Sequence, residues 1–379
     1  MKMALFAGVL IALMALSPPV LAENAPLSRA QTLDADGLAA HRAGRLDEAD
    51  RLLSEGLSVL PSDDPEGRAR RIRVSLLRHA AELKVTQGRP EDARQTLAEA
   101  QAAAKGDPVA EADVLNILGL LAWSQGDLDQ AEKVYLQARS IFETQNLPRD
   151  RAWVVGNLGL IALDRFSIHG QPEYWLDKAE RAFIEARDVF ANCDSKIDVA
   201  NQWSNLGLAY RYRKKYVKAE KAHREALKID REIGYRLGEV DDLGNLGRVA
   251  EDSRNVWKAR DLYREAFQLA QDIGYARGIS HHGLYLIQLL NGLNRFANAE
   301  PYGAATLAAA KAVGNDFATG RVLEEMALIA KERCRFAEAR TLAEEASARF
   351  VSAATQDSVR LKIFLLRVPD RPDGEGCSR

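Results

Sequence analysis

Apolar residues along the chain recur at helical rather than strand spacing. In "WSNLGLAY", residues 203–210, Trp203, Leu206 and Tyr210 stand at i, i+3 and i+7, which is one face of a helix. Gly207 sits inside that helix, although glycine there costs about 1 kcal/mol relative to alanine. The same Leu-Gly pair recurs in "GNLGLIAL", 156–163, while "GNLGRVAE", 244–251, repeats it again. The glycine therefore belongs to a pattern, and predicts a place where two helices come close.

Small residues carry the register. Ala179, Ala219, Ala259, Ala299 and Ala339 each follow a short polar turn, 40 residues apart, and Ala49, Ala93 and Ala131 precede them at less regular spacing. Seven residues after these alanines stand Gly56, Ala100, Ala138, Ala186, Ala226, Ala266, Thr306 and Ala346, small in every unit but the one with Thr306. Before them come Gly37, Ala81, Gly119, Gly159, Gly207, Gly247, Ile287 and Ala327. This spacing predicts eight units, each a helix A, a turn, a helix B and a connector. Gly234, Gly274 and Gly314, again 40 residues apart, read as C-caps of helix B. Ile287 breaks the small-residue rule, which predicts looser packing or a changed twist in unit 7.

These residues resemble the tetratricopeptide repeat. Trp203, Leu206, Gly207 and Tyr210 meet every specified position of W-x2-L-G-x2-Y. The A-x3-F half is met by Ala179 with Phe183, and with tyrosine by Ala131/Tyr135 and Ala259/Tyr263; His223 departs from it after Ala219, and Pro61 closes unit 1. The match covers about residues 27–350. Its 40-residue period exceeds the usual 34 and is similar to the longer-helix repeats of kinesin light chains, spindle-orientation adaptors and Gram-positive peptide-pheromone regulators. The resemblance implies an all-α, right-handed α-solenoid of about eight helix-turn-helix units, with a concave groove for a protein or peptide. Helix A and helix B are expected to be closest where the glycine and the alanine remove side chains.

The resemblance also assigns groove positions to Trp153, Asn157, Asn205, Arg211, Tyr212, Asn245, Arg248, His281, Tyr285, Gln288 and Arg321. The three asparagines each precede the leucine of the Leu-Gly pair in successive units. An amide both donates and accepts, so it suits an extended peptide backbone; it equally suits a bond to a neighbouring helix. The chaperone-type carboxylate clamp is not matched, since unit 5 has Ser204 and Leu208 where that clamp needs Lys and Asn. Unit 4 carries about eight extra residues between its helices, with Phe166, His169, Tyr174 and Trp175 among them. Such a loop is either a binding edge or a longer turn whose aromatics pack on the next repeat.

Composition narrows the function classes. The 379 residues are 47% hydrophobic with net charge −2, which gives no electrostatic case for nucleic acid or an anionic membrane. Residues 1–22 have the form of a secretory signal: Lys2, an apolar run from Met3 to Leu16, then Val20-Leu21-Ala22 before a cut that leaves Glu23 first. That run is shorter than the ~20 residues of a bilayer span, so an exported protein, periplasmic or secreted and without stable membrane insertion, is expected. Residues 23–27 read as a linker, 351–368 as a capping helix and 369–379 as a disordered tail. Cys193, Cys334 and Cys377 are too few for a disulfide framework and read as free thiols, with a Cys334–Cys377 pair as the alternative.

Catalytic motifs are missing from the sequence: it has no H-E-x-x-H, G-x-S-x-G, P-loop or C-x-x-C. His281 and His282 point about 100° apart on a helix, which is wrong for joint metal ligation. No cofactor is expected. A site built from His169, Asp164 and Glu173 would make the chain an enzyme, but nothing at catalytic spacing supports it. Two binding functions stay open: an adaptor or scaffold with a preformed groove, and a peptide-sensing regulator whose superhelix changes shape.

Overall fold

The structure, a computed structural model, describes residues 18–61, 67–169 and 173–352. Among the described residues there are sixteen helices and no strand. They form eight successive hairpins: α1 (Pro18–Arg42) with α2 (Leu46–Ser58), α3 (Arg68–Thr86) with α4 (Pro90–Ala104), α5 (Pro108–Ser124) with α6 (Leu128–Thr144), and α7 (Pro148–His169) with α8 (Glu173–Asn192). Then follow α9 (Lys196–Tyr212) with α10 (Tyr216–Ile233), α11 (Arg236–Asp252) with α12 (Val256–Asp272), α13 (Ala276–Gly292) with α14 (Phe296–Ala312), and α15 (Asp316–Glu332) with α16 (Phe336–Ser352). The chain is an all-α solenoid, with the odd-numbered helices as helix A of each unit.

Local chemistry sets the helix ends. The Asp107 carboxylate accepts from the Val109 and Ala110 amides, with Pro108 at the first helical position of α5. Asn255 and Asn315 cap α12 and α15 in the same way. Gly234, Gly274 and Gly314 take the left-handed conformation, with φ of 70°, 69° and 71°. The Tyr235 amide then reaches back to the Asp230 carbonyl at 2.9 Å, satisfying one of the last open acceptors of α10. At the A-to-B turns of units 5 to 8 that conformation falls instead on Lys214, Arg254, Asn294 and Cys334, whereas Gly44, Gly88 and Gly126 supply it in units 1 to 3.

The repeated glycine works differently from the sequence expectation. The helix B alanines, from Ala49 to Ala339, are indeed fully buried. A Cβ on the helix A glycine, however, would strike the side chain four residues beyond that alanine. It would lie 2.4 Å from a ring carbon of Tyr135 at Gly119, 2.6 Å from Phe183 at Gly159 and 2.6 Å from Tyr263 at Gly247. Gly37 meets Leu53 in this way, and Gly207 meets the His223 ring. Each glycine is thus a hole for a large side chain, whose full burial contributes roughly 1.5–3 kcal/mol and outweighs the ~1 kcal/mol lost in helix propensity. Unit 7 exchanges the sizes. Ile287 stands at the glycine position and Gly303 at the ring position, and Ile287 is fully buried. The expected looseness is absent because the volume has moved from one helix to the other.

Three further expectations change. The extra residues of unit 4 mostly lengthen its helices, to 22 residues in α7 and 20 in α8 against 17 in α9; residues 170–172 lie outside the described part. Residues 23–27, read as a linker, are helical within α1. Cys193 is a free, exposed thiol, but Cys334 is disulfide-bonded rather than free. Cys377, residues 1–17 of the signal, the 351–368 cap beyond Ser352 and the 369–379 tail lie outside the described residues.

The array curls until its units meet again. Arg277, at the start of α13, donates to the backbone carbonyls of Val85 and Thr86 at 2.8 and 3.3 Å, across 192 and 191 residues of chain. These carbonyls end α3, where a cation meets the negative end of the helix dipole. Beside this contact Ile273 lies against Gly44 and Val313 against Gly88, both turn glycines with positive φ.

Candidate binding groove

Inside the curl is a cavity of about 700 Å³. Helix A residues three and four apart line it, because those steps return to one face. On α9 these are Asn201, Asn205, Leu208 and Tyr212; on α11 they are Gly238, Asp241, Asn245 and Arg248. Asp230 reaches in from α10, and Glu82 from α3.

The wall has two chemical ends. Arg211, Arg248, Tyr212 and Tyr285 form one. The Arg248 guanidinium donates to the Tyr285 hydroxyl at 3.0 Å and stacks 4.9 Å above its ring centre. Arg211 is buried, 5.2 Å from the Tyr212 ring centre, and its Nε makes no hydrogen bond among the described residues. Burial first, then the charge of Arg248, lowers the Arg211 pKa.

The other end is acidic. Asp242 is 1% exposed; its Oδ1 accepts from Ser204 Oγ at 2.6 Å and lies 3.1 Å from His223 Nδ1. Burial raises the Asp242 pKa well above the carboxylate range and lowers His223 to about 3. Burial thus disfavours the charged form of both partners in this contact. Asp230 is 2% exposed and is pushed up to about 8, by burial first and then by Asp242, Asp241 and Glu239. Asp230 Oδ1, Asp242 Oδ2 and both ring nitrogens of His282 have no hydrogen-bond partner among the described residues.

Ser204, His223 and Asp242 are hydrolase residue types in a non-hydrolase arrangement. Serine and histidine share one carboxylate oxygen, and His223 Nε2 is enclosed beneath Gly207 without a partner. A triad needs that nitrogen on the serine hydroxyl. Asp164, the acid of the other catalytic option, accepts from Trp123 Nε1 at 2.5 Å. No group of three or more His, Cys, Asp or Glu among the described residues is placed to hold a metal.

Of the positions assigned from the sequence, Trp153, Asn157, Asn205, Arg211, Tyr212, Asn245, Arg248, His281 and Tyr285 line the cavity. Gln288, one turn beyond Tyr285, does not; nor does Arg321, which pairs with Glu324 at 2.8 Å on α15. The asparagines divide. Asn157 donates to Asn116 at 2.9 Å, helix to helix. Asn205 and Asn245 are half-buried and make no side-chain hydrogen bond among the described residues.

The insert aromatics are outside the cavity lining. Phe166 meets Tyr212 edge-on with ring centres 5.8 Å apart, and Trp175 lies under Arg165 and Lys178. Only Tyr174 is largely exposed, resting on Trp175. The His169 side chain is outside the described part.

Sequence reasoning missed Asp198, Asp230, Asp241, Asp242 and His282, all on the cavity wall. Asp241-Asp242 was a visible signal: two adjacent acids inside helix A, three residues ahead of Asn245. Asp230 had none, because a helix B residue enters the groove only through the tight α10–α11 connection.

Known proteins place this architecture. Two tetratricopeptide repeat family models match, one over residues 198–272 and one over 112–143. The chain is a tetratricopeptide repeat protein. Among solved structures it is similar to Rap protein complexed with Competence and Sporulation Factor, at 12% identity over 90% of this chain and 98% of that one, TM-score 0.62. It is also similar to the signal-transduction ATPase with a tetratricopeptide repeat sensor from Pyrococcus horikoshii, at 16% identity over 84% of this chain and 49% of that one, TM-score 0.61. NprR in complex with its cognate peptide NprX aligns at 14% identity over 89% of this chain and 98% of that one, TM-score 0.52. No curated protein sequence matches. At these identities the likeness is one of fold.

Proposed function

We propose that this chain is an exported adaptor that binds a protein or peptide segment in the groove between α5 and α13, without chemistry of its own. The observation that carries this is the unpartnered amide pair: Asn205 and Asn245 sit at the same position of successive units, half-buried and free to pair with a peptide backbone. NprR, on the same fold, has been solved with a peptide bound. Export rests on the signal-like residues 1–22. No helix among the described residues is long and apolar enough to cross a membrane.

Photocrosslinking from Asn205 and Asn245 tests the groove, with the exposed helix B residue Lys228 as control. One partner captured from both groove positions and not from Lys228 is the expected result. Capture from all three equally overturns the groove assignment.

The Arg277 contact favours a second reading, a peptide sensor. A ligand that opens this contact on entering the cavity couples occupancy to superhelical shape. Solution scattering with and without ligand separates the two readings: an adaptor with a preformed groove keeps its radius of gyration, and a sensor changes it.

A further inference from the structure

The acidic end of the groove lacks a counter-charge. No lysine or arginine among the described residues forms an ion pair with Asp230, Asp241 or Asp242; His223 is in contact with Asp242, and His282 lies 3.9 Å from Asp241. Two of these acids are almost completely buried, yet Asp230 Oδ1 and Asp242 Oδ2 face no donor. Leaving a buried acceptor unsatisfied is unfavourable, so two within one cavity wall are costly unless something else completes them. Asp241, by contrast, is half exposed towards the cavity.

The backbone around them is shaped to the corner. A Cβ on Gly238 would fall 2.1 Å from Asp230 Oδ2, and one on Gly244 would fall 1.9 Å from the His282 ring. Both glycines line the cavity and flank Asp241 and Asp242 on α11. Any side chain at either place would displace the polar group beside it. Three acids from two helices, two glycines and an imidazole with open nitrogens thus converge in one corner.

We propose that this corner is a subsite for a cationic group, an alkylammonium or guanidinium borne by a peptide ligand, held by Asp230, Asp241 and Asp242 with His282 at its edge. This rests on the groove being a peptide site. An ammonium has three donors and a guanidinium five, so either can bond more than one carboxylate at once. Binding would draw these acids into their charged form. The Arg211–Arg248 end of the same wall would repel the cation, which fixes the direction in which a basic residue enters.

The test uses the full chain at neutral pH. Propylguanidinium and butylammonium are the small probes, butanol is the neutral control, and spermidine stands for a free polyamine. In parallel, a randomised hexapeptide library is selected on the wild type, on Asp230→Asn and on Asp242→Asn, which are isosteric changes. Circular dichroism and the retained binding of Asn205-contacting peptides check that the variants are folded. The expected results are protection of α10 and α11 by both cationic probes in hydrogen exchange, none by butanol, and at least tenfold weaker probe binding in either variant. Selected peptides should carry Lys or Arg at one position on the wild type, with that preference lost on the variants. Peptides selected without any basic preference, together with no probe protection, overturn the cation subsite and leave the peptide groove standing. Probe or spermidine binding at the corner with no peptide selected overturns the peptide as source and, with it, the adaptor reading.

Discussion

Replacing Gly207 with alanine tests the hole-and-ring packing at its tightest point. A methyl at this position would stand 2.4 Å from His223 Nε2, 2.5 Å from Cε1 and 2.6 Å from Cδ2. That is about 1 Å inside normal carbon contact. The ring cannot swing aside, because it is fully buried and its Nδ1 is held 3.1 Å from Asp242. Overpacking of this kind costs about 1–3 kcal/mol. A strained His223–Asp242 hydrogen bond adds up to about 1 kcal/mol, while alanine returns about 1 kcal/mol of helix propensity. The net expectation is a loss of up to about 3 kcal/mol. Gly292→Ala is the control: a Cβ there meets nothing within 4 Å, so the same substitution should be neutral to stabilising by up to about 1 kcal/mol. Repeat arrays open locally, so native-state hydrogen exchange of α9 and α10 is the appropriate assay, supported by urea unfolding. Equal gains at both positions would refute the packing account.

Other outcomes follow from particular contacts. Asp230 keeps its proton in the fold up to a pKa of about 8, against 3.8 ordinarily, so the folded state binds more protons than the unfolded chain between those values. Its contribution is therefore most favourable at low pH and is lost as pH rises towards 8; Asp230→Asn should flatten that slope in urea titrations from pH 5 to 8, and an unchanged slope would reject the assignment. Arg277→Met removes the donor to Val85 and Thr86 and should raise the radius of gyration in solution scattering. Lys214→Gly relieves a left-handed backbone, φ 56°, and should gain about 0.5 kcal/mol once the greater freedom of the unfolded glycine is subtracted. Expression in a secreting host should give Glu23 as the first residue by intact mass; retention of Met1 would remove the case for export.

The repeat register was legible because small residues at fixed spacing are needed wherever helices approach closely. Eight hairpins could be placed from Gly37 to Ala346 without coordinates. What the glycine faces was not legible. The tyrosine at 135 and the histidine at 223 occupy the same hole, and only geometry shows that a residue outside the motif serves. Groove positions on helix A could be placed because the step of three or four residues carries over from unit to unit. Gln288 and Arg321 lie off the cavity lining, although the same periodicity assigns them to the groove. The acidic corner depends on Asp230 and Asp242 meeting across a connector, and no periodicity encodes that meeting. The Arg277 contact spans 192 residues and leaves no local trace at all.

A linear stack of repeats can lose an end unit at little cost to the rest, since each unit touches only its neighbours. The bond from Arg277 to the end of α3 changes that bookkeeping. Units 2 and 7 become neighbours as well, so the chain between them forms a loop with no frayed end. Melting any one of the enclosed units must release this closure, and the units should then unfold as a block rather than peel away in sequence. Cooperativity over five or six repeats would thus depend on a small closure: the two Arg277 hydrogen bonds and the Ile273–Gly44 and Val313–Gly88 contacts beside them.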